Sequence, residues 1–264
     1  MTLSLPFTKK QNRVAVIRLD GMIASGRRGL SDEALRPVIE KAFVKGKPCA
    51  VALVINSPGG SPVQSSLIAA RIRRLADEKG LPVHAFVEDV AASGGYWLAS
   101  AADDIWVDAS SVVGSIGVIS ASFGAHEFIN RYGVERRVYT SVESKSQMDP
   151  FLPEKAEDVA RLKTILSELH ETFTGYVKAR RGDKLSEDKD LFTGEFWLGQ
   201  TALGLGLVDG IGHLVPKMQE LYGEKVKFIR HGRKRSLFGM FGARLVQDAI
   251  GAVEERAGFA RFGL

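Results

Sequence analysis

One cysteine, Cys49, stands in a chain of 264 residues. It has no partner for an internal disulfide, and no Cys/His spacing typical of a zinc or redox site occurs. Its place at the head of the apolar run Cys49-Ala50-Val51-Ala52-Leu53 predicts a buried core thiol. Long hydrophobic runs are missing too. The first 20 residues are broken by Pro6, Lys9 and Lys10, and no stretch reaches the ~18 apolar residues of a membrane span or forms a secretory core. The expectation is a chain that begins in the cytoplasm and stays there. Charge of one sign is also scarce. The net charge is only +5, and no basic stripe interleaved with aromatics runs through the body, which argues against nucleic-acid binding. Histidine is rare: His84, His126, His170, His213 and His231. None has a triad setting. His126, on a predicted helix after a glycine-rich segment, is the best histidine base, and His213 reads as a loop residue. The sequence has no Gly-x-Ser-x-Gly elbow, no phosphate-cradling glycine loop and no metal-ligand cluster, so neither cofactor nor metal is expected. Ser186-Glu-Asp-Lys189 matches Ser-x-x-Lys, but its flanks are too charged to bury an active site.

What is present is alternation. Strands are predicted over 14–19, 50–55, 83–87, 104–108 and 135–140, and helices over 30–45, 63–79, 125–132 and 154–180, with a short helix opening at Gly94. The run Ala50-Val-Ala-Leu-Val-Ile is apolar throughout, as in a strand covered on both faces. Strand–turn–helix repetition predicts an α/β fold with a parallel sheet. Leu162, Ile165, Leu169, Phe173 and Tyr176 recur at helical spacing and predict a stripe facing the core or another subunit. Residues 192–212 read as a glycine-punctuated helix and turn. The basic run 230–235 interrupts the pattern and separates a domain, 1–230, from a tail, 231–264. The tail holds six Lys/Arg against three acidic residues, and Phe238, Phe241, Leu245, Ala249 and Ala252 share one helical face. It predicts a basic amphipathic helix in peripheral contact with anionic lipid at the inner face of a membrane.

Three segments carry chemistry. Ser93 lies in Ala91-Ala-Ser-Gly-Gly95, where small neighbours leave its hydroxyl open to a peptide backbone. A serine there is either a helix N-cap or a nucleophile awaiting a base. Asn56-Ser-Pro-Gly-Gly60 is a strand-to-helix turn able to aim backbone N–H groups at a developing oxyanion. The expected donors are Gly60 (alternatively Gly59) and Gly94. Lys145, in Ser144-Lys145-Ser146, is the candidate base. A lysine serves as a base near neutral pH only when a dry setting lowers its pKa by about 3 units. Ser115 is the candidate hydroxyl that holds its amine.

These residues resemble the S49 peptidases of the signal peptide peptidase A type, in their short single-repeat form. The motifs are Asn56-Ser-Pro-Gly-Gly60, Ala91-Ala-Ser-Gly-Gly-Tyr96, Gly114-Ser-Ile-Gly-Val-Ile119, the segment 141–149 and Gly206-Leu-Val-Asp-Gly-Ile-Gly212, over roughly residues 12–215. The resemblance implies a ClpP/crotonase-like α/β fold of spiralling ββα units. It implies Ser93 as nucleophile, Lys145 as general base and Ser115 as the group orienting it. It further implies a homo-oligomeric ring whose neighbouring subunits share the dyad, and unfolded polypeptide as substrate, such as signal-peptide remnants. Two other readings of the residues are a non-enzymatic ring scaffold on a membrane surface and a crotonase-type acyl-CoA enzyme.

Overall fold

The computed structural model describes residues 11–26, 29–232 and 256–264. Strand β1 (Arg13–Asp20) leads to helix α1 (Asp32–Ala42), β2 (Ala50–Ser57), α2 (Pro62–Lys79), β3 (Val83–Ala92), α3 (Gly94–Ala99), β4 (Asp104–Val107) and β5 (Val112–Gly114). Then come α4 (His126–Arg131), α5 (Ala156–Arg181), β6 (Phe196–Leu198), α6 (Gly199–Gly204), β7 (Gly210–Ile211), α7 (Leu214–Tyr222) and β8 (Lys227–His231). The helix starts follow local chemistry. Ser31 caps α1 by accepting from the Ala34 amide, and Ser61 caps α2 ahead of Pro62, whose missing N–H costs nothing in the first turn.

The strands form one eight-stranded sheet with the path β6-β5-β3-β2-β1-β8. All neighbours are parallel except β5 and β6. β3 changes partner along its length: its first half pairs with β4 (84–87 against 104–107) and its end pairs with β5 (90–92 against 112–114). β4 in turn pairs with β7. This division lets successive units wind around β3 instead of extending one flat sheet. Between β2 and β3 the register slips: Ile55 opposes Val87, but Ser57 opposes Ala91. Two extra residues of β3, Glu88 and Asp89, are absorbed there, and the slip sets the Ser57–Gly60 turn beside Ala92–Gly94.

The sheet is covered on both sides. One face packs Ile17, Leu19, Leu53 and Ile55 against Ile39, Ile68, Ile72 and Leu98 of the helices. The other packs Val14, Val16, Ala52, Val54 and Phe86 against Met218 of α7. Each fully buried aliphatic side chain contributes about 2 kcal/mol of transfer free energy. A buried ion pair locks the far end: Arg181 (side chain 3% exposed) meets Asp209 at 2.6 Å and donates twice to the Gly206 carbonyl, while Lys184 reaches the other Asp209 oxygen at 2.7 Å.

Several expectations need correction. Residues 135–140 are not a strand; all but Val138 are exposed, and no backbone hydrogen bond joins them to other described residues. The segment 192–212 contains strands β6 and β7 around α6. Cys49 is half-buried, with its thiol 3.3 Å from the Arg13 carbonyl. The α5 stripe, expected to face the core or another subunit, is buried in the chain's own core at Phe173 and left on the surface at Ile165, which is 45% exposed, an outcome that expectation allows. Helical positions Phe238, Phe241, Leu245, Ala249 and Ala252, with Arg233, Lys234 and Arg235, lie outside the described residues.

Candidate active site

Ser93 occupies the sharp corner between β3 and α3, at φ 52° and ψ −122°. A serine in this region costs about 1–3 kcal/mol and persists only where its surroundings impose it. They do. The Ser93 amide donates to the Gly114 carbonyl at 2.8 Å, and the Ser93 carbonyl accepts from the Tyr96 and Trp97 amides. Tyr96, wholly buried, anchors the corner from below by donating its hydroxyl to the Leu207 carbonyl at 2.7 Å. Ser93 does hold the N-cap position of α3, but its side chain makes no capping hydrogen bond there, so its hydroxyl is not spent on the helix.

Two glycines make room for this corner. A Cβ on Gly60 would fall 2.0 Å from the Ile23 carbonyl oxygen, at a backbone φ of 141°. A Cβ on Gly94 would fall 2.5 Å from Ser65 Oγ and 3.3 Å from the Gly60 nitrogen. The two turns therefore touch through backbone. Around Gly60, the Ile23 amide donates to the Gly59 carbonyl and the Ser61 amide to the Ile23 carbonyl. The Gly60 and Gly94 amides themselves have no acceptor among the described residues. Two unspent donors beside a hydroxyl are the components of an oxyanion hole.

Ser93, Gly59, Gly60, Gly94 and Ser115 line one cavity of about 310 Å³. Ser115 also has positive φ (52°), and its amide donates to the Glu195 carbonyl at 2.6 Å. Its hydroxyl has no partner among the described residues. The apolar wall comes from Met22, Ile119, Trp97 and Phe173, with Trp97 stacked on Phe173 at 4.7 Å and on Tyr176 at 5.2 Å. Sequence reasoning placed Phe173 in a core stripe and passed over Met22; nothing local to either marks a cavity wall. Gly258, Arg261 and Phe262 line the same cavity.

Lys145 is not brought to this cavity within one chain. It sits in a 3-10 turn, Glu143–Ser146, with an exposed side chain. Its surroundings are unusual. Between Gly117 and Glu157 no described residue is buried, although the segment carries Phe123 (91% exposed), Tyr139 (91%), Tyr132 (68%) and Phe128 (65%). Three histidines have structural settings: His84 lies between Asp104 (2.8 Å) and the Tyr222 hydroxyl (2.7 Å), His213 is 3.3 Å from Asp108, and His126 faces Asn130 on exposed α4. No metal-holding cluster occurs among the described residues.

Residues 76–225, more than half of the chain, match the model of peptidase family S49. A Brucella melitensis protein named Na(+)/H(+) antiporter NhaA is 46% identical over 278 residues, covering 98% of this chain and 38% of that one. Probable protease SohB of Haemophilus influenzae is 32% identical over 77% of this chain and 57% of its own length. Putative protease slr0021 of Synechocystis is 30% identical over 78% of this chain and 73% of its own. Among solved structures, a mutant of the 1510-N membrane-bound stomatin-specific protease aligns with a TM-score of 0.46 at 13% identity, over 85% of this chain and 99% of that one. The chain belongs to peptidase family S49, and its wound sheet with interleaved helices is the α/β form expected of it. It spans less than two thirds of the Brucella protein and of SohB. No helix among the described residues is long and apolar enough to cross a membrane.

Proposed function

We propose that the protein is a serine endopeptidase working through a Ser–Lys dyad assembled between copies of the chain. The observation that carries this reading is the Ser93 corner: a strained serine whose hydroxyl makes no capping bond, next to two backbone amides with no acceptor among the described residues. Ser93 Oγ attacks the scissile carbonyl and gives its proton to the neutral Lys145 amine. The Gly60 and Gly94 amides hold the oxyanion. The C–N bond breaks, the lysine proton passes to the departing amine, and water then hydrolyses the ester, with the lysine again taking and returning a proton. Ser115 orients the amine. No cofactor is required.

A shared dyad accounts for Lys145. A lysine acts as a base only when shielded from water, and its own chain does not shield it. The uncovered apolar segment that carries it is the surface a neighbouring copy would bury. Substrates are unfolded polypeptides with small or apolar side chains near the cut, a preference that the apolar wall of Trp97, Phe173 and Ile119 supports. Signal-peptide remnants are one source of these. An acyl-CoA role would leave the strained Ser93 hydroxyl without use, and a pure scaffold would not need the two open amides. A fluorophosphonate probe tests the reading. Covalent labelling should map to the peptide containing Ser93 and disappear, with hydrolysis of an unstructured polypeptide, in Ser93→Ala. Labelling elsewhere, or activity retained in that variant, would refute it.

A further inference from the structure

Strand β8 ends the strand order of the sheet, and β1 and β2 separate it from β3 and the Ser93 corner. Its side chains alternate between the two faces. Phe228 packs with Met218 on one face. Ile229 and His231 take the other, the α1 side, where Ile229 Cδ1 lies over Gly46 in the turn after the helix. Along α1, Pro37, Lys41 and Lys45 follow at spacings of four and share one stripe. The Lys45 amide donates to the Lys41 carbonyl at 2.8 Å, which carries the helical turn past Ala42 and keeps Lys45 beside Lys41. This stripe and the end of β8 enclose a surface cavity of about 500 Å³.

The cavity is cationic and uncompensated. No acidic residue is among its described lining residues. Neither lysine has a hydrogen bond or ion pair to a described residue, and the neighbouring Glu40 is spent on Arg36 and Arg71 at 3.3 and 3.1 Å. His231 lines the same cavity, is 7% exposed, and has no hydrogen-bond partner for its Nε2. Native proteins rarely leave a buried polar atom so. Burial first, then Lys41 and Lys45, hold the His231 pKa below its ordinary value, so the field of both lysines reaches the ring.

We propose that Lys41, Lys45 and His231 form a binding site for a phosphate group, carried either by free phosphate or by the headgroup of an anionic lipid. The two ammonium groups supply charge-assisted donors. The imidazole finds its missing partner in the anion, directly or through one water that the anion holds. A bound anion also offsets the repulsion between the lysines. Alternation along β8 directs the Arg230 side chain to the opposite face, so it adds only to the general positive potential. The site belongs to the described body of the chain and is independent of the basic tail. Lys41 also stands in the last turn of α1, where a cation offsets the negative helix end; that role alone would move stability and leave phosphate binding untouched.

The full chain is titrated with inorganic phosphate by calorimetry. In a second arm it is sedimented with vesicles of phosphatidylcholine, with and without phosphatidylglycerol. Wild type is compared with Lys41→Gln/Lys45→Gln and with a charge-matched control, Lys79→Gln/Lys225→Gln, whose lysines are exposed elsewhere. Phosphate should saturate one site per chain. The first pair should weaken it about tenfold or more, the scale of a lost charge-assisted hydrogen bond, and the control by less than about twofold. His231→Gln should weaken it as well; if that buried change impairs folding, the exposed lysine pair carries the test. Phosphate binding without phosphatidylglycerol-dependent sedimentation supports the site with the free anion as its source. Sedimentation lost in the Lys41/Lys45 pair and kept in the control supports it with the lipid headgroup as its source. Equal losses in the two double variants would mean diffuse charge and overturn the site. So would the absence of saturable phosphate binding together with sedimentation that is missing or unchanged in both pairs. Ser93→Ala should bind as wild type does, so this site and the peptidase reading stand or fall separately.

Discussion

At the level of single residues, backbone space decides more than side-chain chemistry. Gly60 is the sharpest case. Any Cβ there collides with the Ile23 carbonyl, which no side-chain rotation can relieve. Gly60→Ala should therefore cost about 3 kcal/mol or more in folding stability, or displace the turn and lose about 10²–10³ in kcat through the missing oxyanion donor. Chemical denaturation and steady-state hydrolysis, measured together, separate the two outcomes; wild-type values in both would contradict the geometry. Ser115 has a different part. It is proposed to orient an amine and not to react. Ser115→Ala should lower kcat about 10-fold or more with little change in KM, because an amine no longer held in line with the Ser93 hydroxyl takes its proton less often. A merely structural residue would move stability without this split between kcat and KM.

Secondary-structure elements show where sequence reading works and where it stops. The β2 run, the spans of α1 and α2 and the Ser93 corner were readable because each follows from local rules: an apolar run, apolar residues at helical spacing between turn signals, glycines around a serine. β5, β6 and β7 are only two or three residues long and exist because β3, β5 and β4 offer them partners; nothing within two or three residues encodes a partner. The apparent strand at 135–140 fails for the converse reason, an extended pattern with no edge to join. The candidate site divides in the same way. Ser93, Ser115 and the glycines converge as their motifs suggest. Lys145 does not: it lies exposed on a segment that no other described part of the chain covers. That Gly258, Arg261 and Phe262 line the cavity was not legible, because neither the charge of the tail nor its apolar spacing says where it docks.

The α5–β7 junction gives a stability prediction on the same scale. Burial pushes the Asp209 carboxyl upward, but the hydrogen bonds from Arg181 and Lys184 outweigh it and hold the group below the usual carboxylate range. A carboxyl depressed in the folded state stabilises above its unfolded pKa and loses that contribution as pH falls through the folded value. Asp209→Asn should cost about 3 kcal/mol near neutral pH, because it leaves the buried Arg181 unpaired. The difference from wild type should shrink below about pH 4. Urea denaturation of both proteins from pH 7 to pH 3 checks this; a gap that stays constant would mean the pair does not carry the stability.

For the whole molecule, the exposed apolar segment around Lys145 is the feature that a single chain leaves unexplained. Phe123 and Tyr139 are almost fully solvated, so replacing both with serine should leave the monomer's stability within about 0.5 kcal/mol while abolishing its assembly in analytical ultracentrifugation. If the variant assembles like wild type, another surface forms the oligomer.

The most direct test mixes two inactive proteins. Ser93→Ala keeps the lysine and Lys145→Ala keeps the serine. If each site takes its serine and its lysine from different copies, co-refolding the two in equal amounts restores hydrolysis at about a quarter of the wild-type sites, as random placement in a closed ring gives. A mixture as inactive as its components, under conditions where the two co-assemble, would contradict a site shared between copies.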